Sequence, residues 1–167
     1  MSLANDFAMY TDEIDLIRAQ NCVECDLYSI IACIIRERRY SKVISLRDVS
    51  ARRGTEFSNV FKGESGFPDF VVRERVASNK ASILGAIEVK YIDENLEKHI
   101  DQLKGHLNSY KKVIFTNGIN WKYYEDSIEL KPIWEVDLGT ISNGKITWYK
   151  DNNWKTLLKK LDEIEWH

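Results

Sequence analysis

The sequence predicts an α/β domain in which helices flank a central mixed β-sheet. Apolar residues recur at helical spacing near both ends of the chain, and strand-like apolar runs fill the middle. A further helical pattern separates the first two of these runs from the rest. The predicted order is therefore helix, hairpin, helix, strands and helix, which is typical of one mixed sheet with helices packed on it.

Three helical segments are predicted from their apolar periodicity. The first favours a helix from about Asp12 to Arg38, with a break near Asn21. A second apolar stripe runs from Ile92 to Leu107, and a third closes the chain between Trp154 and Ile164. Each stripe leaves a polar face, so each helix is expected to pack against the sheet on one side.

Runs rich in Val, Ile and Phe predict the strands. The first two, Phe67–Arg75 and Ile83–Tyr91, are joined by Ser78-Asn79-Lys80, which is typical of a hairpin loop. The basic segment before Phe67 is expected to be irregular, with turns at its glycines. Further short strands are expected at Lys112–Thr116, Trp121–Tyr124, Ile128–Leu130, Ile133–Leu138 and Lys145–Tyr149.

Length and composition favour one globular domain. We expect the 167 residues to form a core at about residues 12–138, followed by a C-terminal hairpin and helix at residues 133–167. No run approaches the roughly 18 apolar residues of a membrane helix. The N-terminus lacks a basic region followed by an apolar run, so we expect no secretory signal and a cytoplasmic location.

Charge is unevenly distributed along the chain. The net charge is −2, yet the stretch from Arg36 to Lys62 holds eight Lys and Arg against three Asp and Glu. Such a stretch can contact phosphates, and Arg52 and Arg53 are its candidate nucleic-acid contacts. The alternative is an ordinary solvated surface.

Cysteine and histidine patterns do not predict a metal site. Cys22 and Cys25 form a C-x-x-C pair inside a helical pattern, but no second pair of ligands follows at a suitable spacing. We therefore expect reduced, structural thiols. His99 and His106 lie seven positions apart on one predicted helix and lack a third ligand, so no role is predicted for them.

The segment Ile83–Tyr91 carries two charges inside an apolar strand. Because strand side chains alternate, Glu88 and Lys90 point to one face, whereas Ile87 and Val89 point to the other, into the core. Two charges on one face of a central strand are costly unless they pair or bind a metal. The alternative is a surface strand with an exposed ion pair.

The preceding strand places another acid nearby. Pro68 cannot donate a ladder hydrogen bond, so it fits a strand start or a bulge, and Asp69 follows it. The Asp69 and Glu88 carboxylates would then repel each other on neighbouring strands. A hard cation such as Mg²⁺ removes that repulsion, and a nearby lysine can orient water or stabilise charge on a phosphate.

These residues resemble a known motif. Pro68-Asp69 and Glu88-Val89-Lys90, with eighteen residues between Asp69 and Glu88, resemble the PD-(D/E)XK nuclease superfamily, which has the restriction-endonuclease-like fold. The resemblance covers roughly Glu24 to Glu125. Its later part resembles the nuclease domains of type I restriction subunits and related stand-alone proteins, through Gln102-Leu103, Tyr110, Phe115-Thr116-Asn117-Gly118 and Trp121-Lys122-Tyr123-Tyr124.

The resemblance implies a metal-dependent endonuclease that hydrolyses phosphodiester bonds in DNA. It implies Mg²⁺, with Mn²⁺ as a substitute, and a lysine that orients or helps deprotonate the attacking water. Its partners would be DNA and either a second copy of the chain or a protein of a restriction or mobile-element system. The implied residues are Asp69, Glu88, Lys90 and Gln102 for catalysis, and Asp69, Glu88, Glu24 and the Val89 backbone carbonyl for the metal.

Three alternatives remain at this point. The fold can serve as a non-catalytic nucleic-acid-binding or assembly module, because fold does not establish activity. The chain can be an α/β domain without a nucleic-acid role, whose Glu88–Lys90 pair is exposed and distant from Asp69. It can also be a thiol redox or metal protein built on Cys22 and Cys25. Burial of the charged pair separates the second alternative from the others.

Overall fold

The fold is built on a six-stranded sheet with the order β1-β2-β3-β4-β5-β6. The computed structural model describes residues 2–20, 23–51, 56–126 and 129–167. β3 and β4 run parallel, whereas the other neighbouring pairs of this sheet are antiparallel. The strands are β1 (Ile44–Asp48), β2 (Phe70–Glu74), β3 (Ile83–Val89), β4 (Lys112–Thr116), β5 (Asn120–Glu125) and β6 (Trp134–Asp137), and a separate hairpin is formed by β7 (Gly139–Ser142) and β8 (Lys145–Trp148).

In the described residues, four α-helices cover the two faces of the sheet. They are α1 (Phe7–Gln20), α2 (Asp26–Arg36), α3 (Ile100–Tyr110) and α4 (Asp151–Asp162). Residues of α1, α2 and α4 share one apolar cluster with one face of the strands, and α3 shares a second cluster with the other face. α3 lies in the connection that joins the parallel strands β3 and β4, where a crossover helix is expected. No helix in the described part of the chain is long and apolar enough to cross a membrane.

The predicted architecture is confirmed, including the hairpin of β2 and β3 and the interior position of β3. The first helical segment is two helices, α1 and α2, with residues 21–22 between them outside the described residues. The expected strand at 128–130 is wrong for its described part, because Glu129 and Leu130 are not in a strand and Leu130 has φ 51°.

Two further corrections concern segments next to the sheet. The basic segment expected to be irregular contains β1, an edge strand whose short run Ile44–Asp48 ends in charged residues. The strand expected at Ile133–Leu138 is present as β6, which pairs with β5, whereas the C-terminal hairpin begins at Gly139 and not at residue 133. Edge strands are short and charged in natural proteins, which weakens their apolar signal in a sequence.

Candidate active site

Asp69 precedes β2 and reaches the end of β3. Asp69 is 8% exposed, and both of its carboxylate oxygens accept hydrogen bonds. The Val89 backbone N–H donates to Oδ2 at 2.7 Å, and the Tyr28 hydroxyl donates to Oδ1 at 2.5 Å. The side chain is therefore fixed between α2 and β3 before any ligand binds.

Glu88 and Lys90 lie at the end of β3 and are both buried, at 3% and 8% exposure. The Lys90 Nζ donates to Glu88 Oε1 at 2.6 Å, so the two side chains share one face as predicted. The Lys90 backbone N–H donates to the Thr116 carbonyl of β4 at 2.8 Å, which holds the strand end in the sheet. The alternative of an exposed ion pair is therefore excluded.

Helix α3 packs on the face of the sheet opposite to α2, and two of its residues, one turn apart, lie next to Glu88. Gln102 Nε2 donates to Glu88 Oε1 at 2.6 Å. His106 is fully buried and its Nε2 lies 3.1 Å from Glu88 Oε2, but this contact lacks the alignment of a hydrogen bond. Within the described residues, Glu88 Oε2 thus has no hydrogen-bond partner, although it is buried.

Glu24 lies in the turn just before α2 and not inside a helix, contrary to the prediction. Its Oε1 accepts a hydrogen bond from the same Tyr28 hydroxyl at 3.0 Å. A phenol carries one proton, so Glu24 and Asp69 compete for a single donor, and the distance to Asp69 is the shorter. Burial and the neighbouring carboxylates raise the pKa of Tyr28, which keeps that proton on the phenol.

The two buried acids differ in their electrostatics. Burial, reinforced by the negative charge of Glu88, raises the pKa of Asp69 to about 7. Burial alone would also raise the pKa of Glu88, but contacts with His106 and Lys90 outweigh it and hold that pKa below its usual value. Without a further cation, the site therefore tends to take up a proton on Asp69.

The backbone carbonyl of Val89 faces the same space as Asp69. The Lys90 N–H bonds to β4, so the N–H and C=O of Val89 point toward β2, in agreement with the Val89–Asp69 hydrogen bond. Extending the Phe70–Ile87 pairing by two residues puts Pro68 opposite Val89. Because proline has no N–H, Pro68 cannot donate a ladder hydrogen bond to the Val89 carbonyl.

The donor set fits a hard divalent cation. Two buried carboxylates with an unpartnered oxygen on Glu88, and a carbonyl facing Asp69, are the oxygen ligands that Mg²⁺ prefers. Within residues 2–20, 23–51, 56–126 and 129–167, no three His, Cys, Asp or Glu side chains form a group that could hold a metal. A cation here would therefore need the backbone carbonyl and water beside the acids.

The site brings together most of the predicted residues and adds two. They form two hydrogen-bonded groups: Lys90 and Gln102 donate to Glu88, and Tyr28 joins Asp69 to Glu24. The negative charge of Glu88 acts on Asp69, which places the two groups side by side. The sequence argument missed Tyr28 and His106. Each lies four positions after a predicted site residue, Glu24 or Gln102, and that spacing on a helix was the signal available.

Other candidates lie elsewhere or outside the described residues. Arg52, Arg53 and Cys22 fall outside the described residues, so their predicted roles are not addressed by this geometry. Cys25 and Cys33 are free thiols. His99 lies 3.2 Å from Glu94, with His99 Nε2 and Glu94 Oε2 as the closest atoms.

No protein-family model matches the chain, and no curated protein matches it. A chain in a cryo-EM structure of a DrdV–DNA complex is similar in structure, with a TM-score of 0.61 over 98% of this chain and 15% sequence identity. The match spans 14% of the length of that chain. This likeness and the six-stranded sheet flanked by helices identify the fold as restriction-endonuclease-like, as the sequence predicted.

Proposed function

We propose that this chain is a divalent-metal-dependent endonuclease that hydrolyses DNA at Asp69, Glu88 and Lys90. The observation that carries the proposal is the burial of two neighbouring carboxylates beside Lys90, with one oxygen of Glu88 in contact with His106 but without a hydrogen bond. Two buried carboxylates beside one lysine leave a surplus of negative charge, which is costly away from water. DNA is the proposed substrate because the structural neighbour is in a complex with DNA.

The cation would be held by Asp69, Glu88 and the Val89 carbonyl, with Glu24 as an additional acid linked through Tyr28. When bound, Mg²⁺ would offset negative charge on the oxygens of a phosphodiester and favour attack by water. The hydrogen bonds to Asp69 and from Gln102 to Glu88 orient these acids in advance. Partners of this kind in proteins raise metal affinity by fixing the ligands.

Lys90 is the proposed positioning group for water. Its Nζ is buried and held at Glu88 Oε1, so its charge would lie beside a phosphate bound at the two acids. In the hydrolysis, the water oxygen loses a proton to solvent and bonds to phosphorus, one P–O ester bond breaks, and the departing oxygen takes up a proton from solvent. Lys90 orients the water and stabilises charge that develops on phosphate oxygens, an effect of about 10²–10³ in rate for one such group.

The test is cleavage of a closed circular plasmid, because a circle has no ends and reports internal cuts. Wild type, Lys90→Ala and Lys122→Met are compared with Mg²⁺, with Mn²⁺ and with EDTA. Lys122 is a suitable control, since it is also a largely buried lysine in an ion pair but lies on β5. We expect metal-dependent nicking by wild type and Lys122→Met, and none by Lys90→Ala.

Other outcomes contradict specific parts of the proposal. Equal cleavage by wild type and Lys90→Ala would assign the activity to another site or a contaminant. Cleavage of single-stranded RNA but not of plasmid would keep the site and replace the substrate. Binding of DNA without cleavage in any metal would favour the non-catalytic binding module.

A further inference from the structure

A groove between α2 and the edge strand β1 carries a concentration of arginine. A cavity of about 360 Å³ there is lined by Arg36 of α2, Arg47 of β1 and Arg75, which follows β2. The other lining residues are uncharged, so the side chains of this cavity sum to a charge of +3. We call this surface the arginine groove.

The three arginines are not neutralised by acids. All three are exposed, and within the described residues none lies within ion-pair distance of a carboxylate. Arg75 donates to the Ser41 carbonyl at 3.2 Å, and Arg36 makes only a long contact of 3.5 Å to the Leu46 carbonyl. A guanidinium has five N–H donors, so each retains donors for a ligand.

The arginine groove continues toward the proposed active site. A second cavity of similar size is lined by Arg36, Tyr28 and Phe70, so Arg36 belongs to both. Tyr28 donates to Asp69, and Phe70 follows Asp69 in the chain. From Tyr28 to Arg36, α2 rises about 12 Å at 1.5 Å per residue, which spans roughly three to four nucleotides at 3.4 Å each.

The second cavity holds one acid beside Arg36, so its side chains carry no net charge. Asp48 lines it, and its Oδ1 accepts two hydrogen bonds from Ser50, one from the backbone N–H at 3.1 Å and one from the hydroxyl at 2.7 Å. The side-chain charge therefore rises from zero in the cavity next to the proposed active site to +3 in the arginine groove, which suits a polyanion leading away from that site.

We propose that the arginine groove binds backbone phosphates of the DNA strand whose scissile bond lies at the active site. The identity of the ligand rests on the proposed nuclease function. Arginine binds phosphate through two parallel N–H donors, and a row of three such groups matches a repeating phosphate chain better than one small anion. The contacts would be independent of base sequence.

The experiment measures binding of a short labelled DNA duplex by fluorescence anisotropy from about 0.05 to 0.2 M salt. All proteins carry Lys90→Ala, so that DNA remains intact. The groove variant is Arg36→Gln/Arg47→Gln/Arg75→Gln, and the control is Lys145→Gln/Lys155→Gln/Lys159→Gln, which removes the same charge from exposed positions on β8 and α4. Arg47→Glu alone is a second variant, because its side chain forms no ion pair with a described acid.

We expect the groove variant to bind DNA at least about tenfold more weakly than the control. Its salt slope should fall by up to about 2.7, since each lost phosphate contact removes about 0.9. Arg47→Glu should shift affinity in the same direction with an unchanged melting temperature. Equal DNA affinities and equal salt slopes for the groove and control variants would overturn the proposal. It would also be overturned if the groove bound inorganic phosphate saturably while the groove substitutions left DNA affinity unchanged.

Failure of this proposal is distinguishable from failure of the nuclease proposal. If the protein with Lys90 intact cleaves plasmid while the groove variant binds normally, the arginine groove has been wrongly assigned and the active site stands. If that protein does not cleave but the groove variant loses DNA affinity, the surface is correctly assigned and the catalytic function is wrong. No DNA binding by any protein overturns the groove proposal.

Discussion

Two buried lysines in this molecule lie in very different surroundings. The active-site cluster consists of Asp69, Glu88 and Lys90, and the Lys122 cluster consists of Lys122, Glu97 and Glu135. Each cluster has one lysine and two acids. In the Lys122 cluster, the ion-pair distances are 2.5 Å and 3.4 Å, but the Glu97 and Glu135 side chains are 63% and 43% exposed.

The difference in burial distinguishes an ion-pair cluster that water screens from the cluster that we propose binds a cation. Water screens the surplus negative charge at Glu97 and Glu135, so that cluster needs no additional partner. In the active-site cluster Glu88 is 3% and Asp69 8% exposed, and water screens their repulsion poorly. A proton on Asp69 offsets it there, and the proposed metal ion would do the same.

The largest expected effect comes from removing one buried acid. We expect Glu88→Gln to reduce plasmid cleavage by more than about 100-fold, because even the outer partners of metal ligands account for 10–100-fold. Glu135→Gln, which removes an acid from the Lys122 cluster, should cleave at the wild-type rate. Cleavage is measured as the initial rate of plasmid nicking. Similar losses of that rate in Glu88→Gln and Glu135→Gln would show that the two clusters do not differ in function.

The next effect concerns the residue that holds Asp69. We expect Tyr28→Phe to weaken Mn²⁺ binding by about 10–100-fold, measured by titration calorimetry, because the Asp69 carboxylate loses one of its two fixed partners. Tyr123→Phe is the matched control, since its hydroxyl also donates to a carboxylate, Glu125, at 3.1 Å. Unchanged Mn²⁺ affinity in Tyr28→Phe would show that Asp69 is not positioned by the phenol.

A smaller effect is expected in the pH dependence of stability without metal. The pKa of Asp69 is raised to about 7 in the folded chain and is near 4 when unfolded, so the folded state binds the proton more tightly. Its contribution is therefore fully present below about pH 4 and is lost as pH rises through about 7. The melting temperature in EDTA should fall across that window, less so for Asp69→Asn.

Added Mg²⁺ should restore much of that loss at the upper end of the window, because the cation replaces the proton between the acids. A melting profile that is unaffected by both Mg²⁺ and Asp69→Asn would contradict the assigned electrostatics.

The smallest effect is expected at the Lys122 cluster. Burial alone would lower the pKa of Lys122, but contacts with Glu97 and Glu135 raise it. We expect Lys122→Met to cost about 1 kcal/mol or less by urea unfolding, because exposed acids contribute little to an ion pair. A cost of several kcal/mol would mean that this cluster is as poorly screened as the active site.

The sequence predicted the parts of the fold and site that depend on short spacings. Glu88 and Lys90 share a face because strand side chains alternate, and that required no knowledge of the rest of the chain. The hairpin that brings Asp69 to β3 was also predictable from two adjacent apolar runs. In contrast, β1 is a short edge strand ending in charges, and its pattern resembled a loop.

Residues from distant elements were harder to assign. Tyr28 and His106 have the spacing of core residues on their helices, and nothing in that periodicity tells which buried group they meet. Their contacts with Asp69 and Glu88 depend on how α2 and α3 dock on the two faces of the sheet. Docking angle and register are tertiary properties that apolar periodicity does not specify.

The most direct test of the central claim is a crystal structure of the protein soaked in Mn²⁺, with anomalous diffraction to locate the ion. The expected result is one strong anomalous peak in direct coordination distance of the Asp69 and Glu88 carboxylates and the Val89 carbonyl. Tyr28 should still contact Asp69. A peak at Glu97 and Glu135 instead, or none between Asp69 and Glu88 at saturating Mn²⁺, would contradict the account.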